Sequence, residues 1–235
     1  MRIEDCNWMQ VEDYLGTDDR LVVPLGSVEQ HGYLSLGVDR ILSERVSVEA
    51  AEPLGVLVMP SLPYGLTPYF AAYPGSPTLR VETYGAVLRD LLDSLSEQGF
   101  RRFLFVNGHG GNDPGREAVQ TWESEHDGCR TLWHNWWAGA GVRAVVDAID
   151  ADASHASWFE NFPWTRLPGV EQPQARKPMA DVVAMRELEP RAVRELLGDG
   201  SLGGLYERPD ADVLQVWAAG VAEVRELIAN GWNAA

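Results

Sequence analysis

The order of the predicted elements indicates an α/β protein, a three-layer α/β/α sandwich with a mostly parallel sheet. Short apolar runs alternate with longer segments of helical periodicity along the whole 235-residue chain. No linker and no internal repeat interrupts this alternation. Such a pattern is typical of a parallel sheet that is covered by helices on both faces. We therefore expect one domain over residues 1–235.

The first elements are two strands around one helix. Leu21 to Leu25 is a short apolar run that ends in Gly26-Ser27, which predicts a buried strand. A helix is predicted from Asp39 to Ala51, with Asp39 as a possible N-cap. Val56 to Met59 predicts a second strand, which Pro60 closes. Residues 60–80 are rich in proline and predict a long loop, and loops of that length are usually functional.

The next elements repeat the alternation of helix and strand. Glu82 to Gln98 carries leucines at helical spacing, and Gly99 follows as a stop signal. Phe103 to Val106 predicts a strand that is buried on both faces. The remaining predictions are a helix around Pro114 to Glu125, a strand from Arg130 to Trp137, a helix from Gly141 to Ile149, a proline-rich loop over 160–178 and an amphipathic helix from Pro209 to Asn230.

Composition excludes several classes of function. The net charge of −16 repels phosphate backbones, so nucleic acid is not an expected partner. No run approaches ~18 uninterrupted apolar residues, so no membrane span is expected. The first ten residues lack the basic start and apolar stretch of a signal peptide, and two cysteines cannot form a disulfide framework. We expect a cytoplasmic protein.

The first of three polar clusters lies between the first predicted strand and the next helix. If this segment is extended, the side chains of Glu29 and His31 point the same way. Asp39, at the start of the helix, could turn its carboxylate toward them. The three residues could form part of a metal site. A loop histidine beside solvated acids is the alternative, and the cluster alone does not decide between them.

The second cluster is Asn107-Gly108-His109-Gly110-Gly111-Asn112, directly after a buried strand. Its glycines let the backbone bend sharply and leave room beside His109. The segment lacks the GxxxxGK[ST] and GxGxxG patterns and contains no lysine or arginine, which argues against a phosphate-binding loop. His109 is well placed for a metal ligand, and a structural histidine is the alternative.

The third cluster is Ser154-His155-Ala156-Ser157-Trp158-Phe159-Glu160. His155 and Glu160 are five residues apart, a spacing that does not put them on one face of a regular helix. They converge only if His155 lies in a loop and Glu160 in the first turn that follows. In isolation, both side chains could equally be exposed.

Together the clusters predict a metal centre. In open α/β sheets the ligand crevice lies beyond the carboxyl ends of the strands, where these clusters fall. Histidine, aspartate and glutamate suit Zn²⁺, Mn²⁺ or Fe²⁺. Two histidines and three carboxylates, with Asp39 as a bridge, suffice for a two-metal site. Such a site makes hydroxide near neutral pH and polarises a carbonyl.

The clusters resemble the sequence motifs of the creatininase (creatinine amidohydrolase) family. The matching segments run in the family's order from about residue 20 to 225. They are Leu25-Gly26-Ser27-Val28-Glu29-Gln30-His31-Gly32 with Leu36-Gly37-Val38-Asp39, then Tyr73-Pro74-Gly75-Ser76, Val106-Asn107-Gly108-His109-Gly110-Gly111-Asn112, His155-Ala156-Ser157-Trp158-Phe159-Glu160 and Gly203-Gly204. The motifs around His31 and His109 are specific when they occur together.

The resemblance implies a metal-dependent amidohydrolase that cleaves a C–N bond of a small cyclic or linear amide with a metal-activated hydroxide. It also implies two divalent metal ions (Zn²⁺, Mn²⁺ or Fe²⁺), a small-molecule substrate and a homo-oligomer such as a hexamer. The implied metal ligands are Glu29, His31, Asp39, His109 and Glu160. His155 is implied to be the general acid that protonates the leaving nitrogen.

The sequence departs from creatininases proper around the substrate. Gly111 stands where those enzymes carry a glutamate, and Tyr33-Leu34 replaces the usual Pro-His after the first motif. Gly111 is closer to other branches of the family, which include formamide-type deformylases and the peptidase of mycofactocin maturation. The alternatives are therefore a deformylase, a peptidase of cofactor maturation or a ring-opening hydrolase of a cyclic ketone, and a degenerate non-catalytic binding protein.

Three further residues are expected to contact the substrate. Trp158 lies between His155 and Glu160 and is the best candidate for an aromatic wall, although core packing is the alternative for any of the nine tryptophans. Tyr69 lies in the long loop and Asn112 in the second motif. The other histidines, His126 and His134, and both cysteines are interpreted as structural.

Overall fold

A four-stranded parallel sheet forms the centre of the computed structural model, which describes residues 1–233. The strands are β1 (Arg20–Leu25), β2 (Leu57–Val58), β3 (Arg102–Asn107) and β4 (Arg130–Asn135), in the order β2-β1-β3-β4. Every pairing among them is parallel. β1 and β3 each bury five of their six residues, as central strands with both faces covered do.

Helices cover the sheet on both faces, which confirms the predicted α/β/α sandwich. They are α1 (Trp8–Leu15), α2 (Val38–Ala51), α3 (Val81–Gln98), α4 (Pro114–Ser124), α5 (Ala140–Ile149), α6 (Val182–Met185), α7 (Pro190–Leu197) and α8 (Asp210–Asn230). α2, α5 and α8 pack together on one face, and α3 packs against α4 on the other. None of the helices within residues 1–233 combines the length and apolar character needed to cross a membrane.

Each face of the sheet has its own apolar core. Val22 and Leu104 pack with residues of α2, α5 and α8. Leu21, Val23 and Phe103 pack with residues of α3 and α4. The division follows from the alternation of side chains along a strand. A third, smaller cluster joins α6 and α7 to the loop of residues 60–80.

The observed boundaries differ from the predicted ones at a few positions. Asp39 is not the N-cap of α2: the helix begins at Val38 after Gly37, and Asp39 lies in its first turn. β4 ends at Asn135, earlier than predicted, because a short 3₁₀ helix follows it. α1, α6 and α7 were not predicted, since none has more than eight residues and periodicity is evaluated over windows of about 11–18.

Two glycines bring the start of α2 onto the ends of the central strands. A Cβ on Gly26, just after β1, would lie 2.5 Å from Cα of Arg40. A Cβ on Gly108, just after β3, would lie 2.3 Å from the carbonyl oxygen of Asp39. Only glycine therefore permits this close approach. As a result, the first turn of α2 lies beside the carboxyl ends of β1 and β3.

Candidate active site

The loops that follow β1 and β3 and the first turn of α2 bring together a buried cluster of histidines and carboxylates. Its first group contains Glu29, Asp39 and His109. His109 Nδ1 lies 3.1 Å from Glu29 Oε1 and 3.0 Å from Asp39 Oδ2. All three residues are buried. These three predicted residues therefore converge in space, although 80 residues separate Glu29 from His109 in the chain.

The second group contains His31, Asp39 and Glu160. His31 Nε2 lies 3.0 Å from Asp39 Oδ1 and 3.7 Å from Glu160 Oε2. Asp39 thus directs Oδ2 toward the first group and Oδ1 toward the second. This is the arrangement of a carboxylate that can bridge two metal ions. The hydroxyl of Ser27 donates a 2.7 Å hydrogen bond to Asp39 Oδ2 and holds the carboxylate in place.

Hydrogen bonds to backbone carbonyls orient both histidine rings. His109 Nε2 donates to the carbonyl of Leu66 at 2.8 Å, which directs Nδ1 toward Glu29 and Asp39. His31 Nδ1 donates to the carbonyl of Glu29 at 3.1 Å, which directs Nε2 toward Asp39. A ligating histidine commonly donates its other ring N–H in this way, and the bond fixes the tautomer.

Two buried polar atoms of the cluster have no hydrogen-bond partner among the described residues. They are Glu29 Oε2 and His31 Nε2. Asp39 Oδ1 approaches His31 Nε2 to 3.0 Å, but the contact lacks hydrogen-bond geometry. An unpartnered buried polar group is costly and needs an explanation. Imidazole nitrogens and carboxylate oxygens form a donor set that suits Zn²⁺, Mn²⁺ or Fe²⁺, so these residues fit a metal centre.

The electrostatics of the cluster favour positive charge. Burial opposes a charge on His31, but the carboxylates of Asp39 and Glu160 outweigh it and raise its pKa to about 10. Despite burial, Glu29 and Asp39 likewise raise the pKa of His109 well above its ordinary value. Burial raises the pKa of Glu160 to about 7. The same field attracts a divalent cation, which must displace protons in order to bind.

A tight turn places the third predicted motif beside these groups. Ala156 adopts a left-handed conformation with φ of 56°, which is uncommon for a residue other than glycine. Its backbone N–H donates to Glu160 Oε2 at 2.6 Å. Glu160 ends a 3₁₀ helix that begins at Trp158, while His155 precedes it in a turn. His155 thus lies in a turn and Glu160 in the 3₁₀ helix that follows, and both residues line the same cavity.

His155 lies at the edge of the cluster and is held on three sides. Its ring stacks on Phe70 with centroids 4.7 Å apart and contacts the ring of His31 at 4.3 Å. Nε2 lies 2.8 Å from Nε2 of Gln30, and Nδ1 lies 3.7 Å from Glu29 Oε1. Burial, reinforced by the charge of His31, lowers the pKa of His155 well below its ordinary value. Geometry also allows His155 to join Glu29 and His31 in a third potential metal group.

A cavity of about 750 Å³ opens above the cluster. Glu29, Asp39, His109, His155 and Glu160 line its floor. Its apolar and aromatic walls include Leu66, Tyr69, Phe70, Trp137 and Phe159, and the side chains of Arg143 and Arg186 also line it. Its volume suits a small molecule.

Two of the three predicted substrate contacts lie elsewhere. Tyr69 lines the cavity, and its contact with the substrate stays a prediction. Trp158 does not: it is fully buried in the core, because side chains on a 3₁₀ helix are about 120° apart and Glu160 takes the cavity side. Asn112 is also fully buried and does not line the cavity. Its side-chain amide instead links the carbonyl of Gly26 to the backbone N–H of Leu66.

Several residues that line the cavity or contact the cluster were not predicted from the sequence. Phe70 and Phe159 line the cavity, but no periodic pattern marks them. Gln30 could have been found, since it stands between two predicted ligands. The histidines interpreted as structural, His126 and His134, do not line the cavity.

Comparison with known proteins connects this geometry to one family. The family model Creatininase, described as creatinine amidohydrolase, matches residues 4–223. Creatinine amidohydrolase of Pseudomonas putida is 32% identical over 114 residues, which are 46% of this chain and 44% of that protein. 3-Dehydro-scyllo-inosose hydrolase of Thermotoga maritima is 30% identical over 103 residues, 43% of this chain and 33% of that protein.

A solved structure gives the same fold. The structure named Creatininase Mn superposes with a TM-score of 0.79, covers 99% of both chains and is 22% identical. The chain matches less than half the length of the two curated relatives, whereas the family model spans nearly all of it. The resemblance drawn from the motifs is thereby confirmed, and the chain belongs to the creatininase family.

Proposed function

We propose that this chain is a metal-dependent amidohydrolase that cleaves a C–N bond of a small cyclic or linear amide. The observation that carries the proposal is the buried carboxylate of Asp39, whose two oxygens face two separate groups of ligand atoms. Family membership and the solved structure named Creatininase Mn support it. The cavity volume and its aromatic wall suit a small, flat substrate.

Each ion would have three protein ligands. Glu29, Asp39 and His109 would hold one, and His31, Asp39 and Glu160 the other. Zn²⁺, Mn²⁺ and Fe²⁺ all suit this donor set. When bound, such ions supply hydroxide near neutral pH and polarise a carbonyl oxygen.

The chain's own residues would orient the substrate and move the proton. Tyr69, Phe70 and Phe159 pack around the amide and exclude water from the cavity. His155 takes up the proton that the attacking water releases and donates a proton to the leaving nitrogen as the C–N bond breaks. Because the ring gains one proton and gives one up, it returns to its neutral form and the hydrolysis balances. A homo-oligomer, a hexamer by family resemblance, is part of the same proposal.

Metal content is the first test. Protein purified without chelator or affinity nickel should carry close to two ions of Zn, Mn or Fe per chain, measured by mass spectrometry. Asp39→Asn should lose both ions, because it removes charge from the bridging carboxylate. Asp113→Asn is the matched control, since Asp113 lines the cavity outside the metal groups.

Other results of the metal analysis would change the proposal. One ion per chain would indicate a single-metal enzyme, in which the absent carboxylate at Gly111 has cost a site. No metal after reconstitution would favour a degenerate binding protein. Retention of both ions by Asp39→Asn would refute the bridging role.

A hydrolase that acts on another bond is the second candidate. The Thermotoga maritima relative, which is named for a substrate other than creatinine, matches almost as long a segment as the Pseudomonas putida relative. A panel of cyclic amides, linear amides, formamides, short peptides and cyclic ketones separates the candidates. Release of ammonia or amine from amides alone supports the amidohydrolase, and ring opening of a ketone without release of nitrogen supports the second candidate.

A further inference from the structure

Gln30 lies between two proposed ligands, yet its side chain belongs to neither metal group. Its Oε1 accepts a 3.1 Å hydrogen bond from the backbone N–H of Gly32. Its Nε2 donates to the backbone carbonyl of Gly200 at 3.0 Å. Because one partner can only donate and the other can only accept, the two bonds fix which end of the amide is oxygen and which is nitrogen.

The surroundings leave the Gln30 amide no other position. The residue is 5% exposed, and its own N–H donates to the hydroxyl of Ser76 at 2.9 Å. Gly200 has a φ of +96°, and a Cβ there would lie 1.7 Å from Gln30 Oε1. The absence of a side chain at position 200 thus creates the space that the amide fills.

The orientation of this amide determines the tautomer of His155. The remaining N–H of Gln30 Nε2 points to His155 Nε2 at a distance of 2.8 Å. His155 Nε2 must therefore accept, and a neutral imidazole that accepts at one nitrogen carries its proton on the other. That nitrogen is Nδ1, 3.7 Å from Glu29 Oε1. Stacking on Phe70 holds the plane of the ring.

We propose that Gln30 is a positioning residue that keeps the proton of the resting, neutral His155 on Nδ1, so that this nitrogen presents an N–H to the substrate and does not ligate a metal. Ligation through Nδ1 would move the proton to Nε2, where it would meet the N–H of Gln30. The unfavourable donor-to-donor contact opposes the third potential group of Glu29, His31 and His155. The inference rests on the proposed function for the role of this N–H, but the tautomer itself can be measured separately.

The direct test is long-range ¹H–¹⁵N spectroscopy of protein labelled with ¹⁵N-histidine, metal-free and zinc-loaded. His155→Ala assigns the signal. Two other histidines serve as internal references, because His109 donates from Nε2 to Leu66 and His126 donates from Nδ1 to Trp122. We expect His155 to carry its proton on Nδ1 in both states. A proton on Nε2, or zinc bound at His155 Nδ1, would overturn the proposal.

The variant Gln30→Glu tests whether Gln30 determines the tautomer of His155. In Gln30→Glu a carboxylate oxygen, which accepts, replaces the amide N–H, which donates. We therefore expect the proton of His155 on Nε2 and a kcat that is lower on the order of 10²-fold. KM and zinc content should change little. Gln120→Glu makes the same change on the exposed face of α4 and should alter none of these. An unchanged His155 tautomer in a folded Gln30→Glu would contradict the proposal. If that variant does not fold, the wild-type spectrum still decides.

The two proposals fail in distinguishable ways. A chain that binds zinc and hydrolyses amides but protonates Nε2 of His155 contradicts only the role of Gln30. A chain with the Nδ1 proton but without metal or activity contradicts only the proposed function.

Discussion

At the scale of single residues, position 111 shows how the backbone limits the metal centre. A Cβ on Gly111 would lie 2.0 Å from the carbonyl oxygen of Leu66 and 2.4 Å from His109 Nε2. Those two atoms form the hydrogen bond that orients the His109 ring. The loop of residues 60–80 therefore occupies the space that a side chain at position 111 would need. The absence of a carboxylate there agrees with the packing of this chain.

The first prediction concerns Gly111→Ala. The added methyl group must break the bond between His109 and Leu66, so the affinity for zinc should fall by about 10- to 100-fold, as outer-shell changes typically cause. Gly110→Ala is the matched control, because its nearest contact would be an ordinary 3.8 Å to Trp137. Competition titration with a chromogenic chelator measures both affinities. Equal losses in the two variants would contradict the argument.

At the scale of elements, the site depends on how closely α2 approaches the sheet. Asp39 belongs to the first turn of α2, and Gly26 and Gly108 at the ends of β1 and β3 allow that turn to come near. Glu29 and His109 lie in the loops after the same two strands. The bridging carboxylate therefore reaches both groups only when helix and strands keep this spacing.

The second prediction concerns Gly26→Ala. Its Cβ would lie 2.5 Å from Cα of Arg40, so α2 must shift, and we expect a loss of about 1–3 kcal/mol in the free energy of unfolding. The shift also displaces Asp39, so metal content should fall. Gly37→Ala, whose nearest contact would be 3.6 Å, should preserve metal content. Urea unfolding and metal analysis provide the measurements, and full metal content in Gly26→Ala would count against the spacing argument.

At the scale of the whole molecule, the buried cluster links metal binding to folding and pH. The carboxylates raise the pKa of His31 from 6.5 to about 10, so the metal-free folded chain binds more protons there than the unfolded chain between those values. This contribution to stability is complete below about pH 6.5 and is lost as the pH rises toward 10. The raised pKa of Glu160 acts in the same direction between 4.5 and about 7.

The third prediction follows from this linkage. Metal must displace those protons, so its affinity rises with pH while the metal-free fold loses stability. The Tm gained by adding zinc to chelator-treated protein should therefore increase from pH 6 to pH 8. Differential scanning calorimetry at each pH measures it, and Asp39→Asn should show little gain at any pH. A gain that is constant with pH would refute the linkage.

Much of the fold was predictable because its signals are local. The apolar runs of β1 and β3 and the helical spacing of α3 appear within short windows of sequence, so their boundaries were predicted to within one or two residues. α1 and α7 were not predicted because eight residues contain too few repeats of the helical period. Asp39 was assigned to the right helix but the wrong position, since a cap depends on the geometry of the first turn.

The sequence alone determined the residue types of the site and their places at the ends of strands, because strand ends and glycine-rich turns are local features. Only the tertiary structure decided which side chains meet. Trp158 packs in the core and Asn112 links two loops, whereas Phe70 and Gln30 contact His155 from other segments of the chain. The physical reason is that side chains in loops follow no period. Their directions depend on packing between elements that are far apart in the chain.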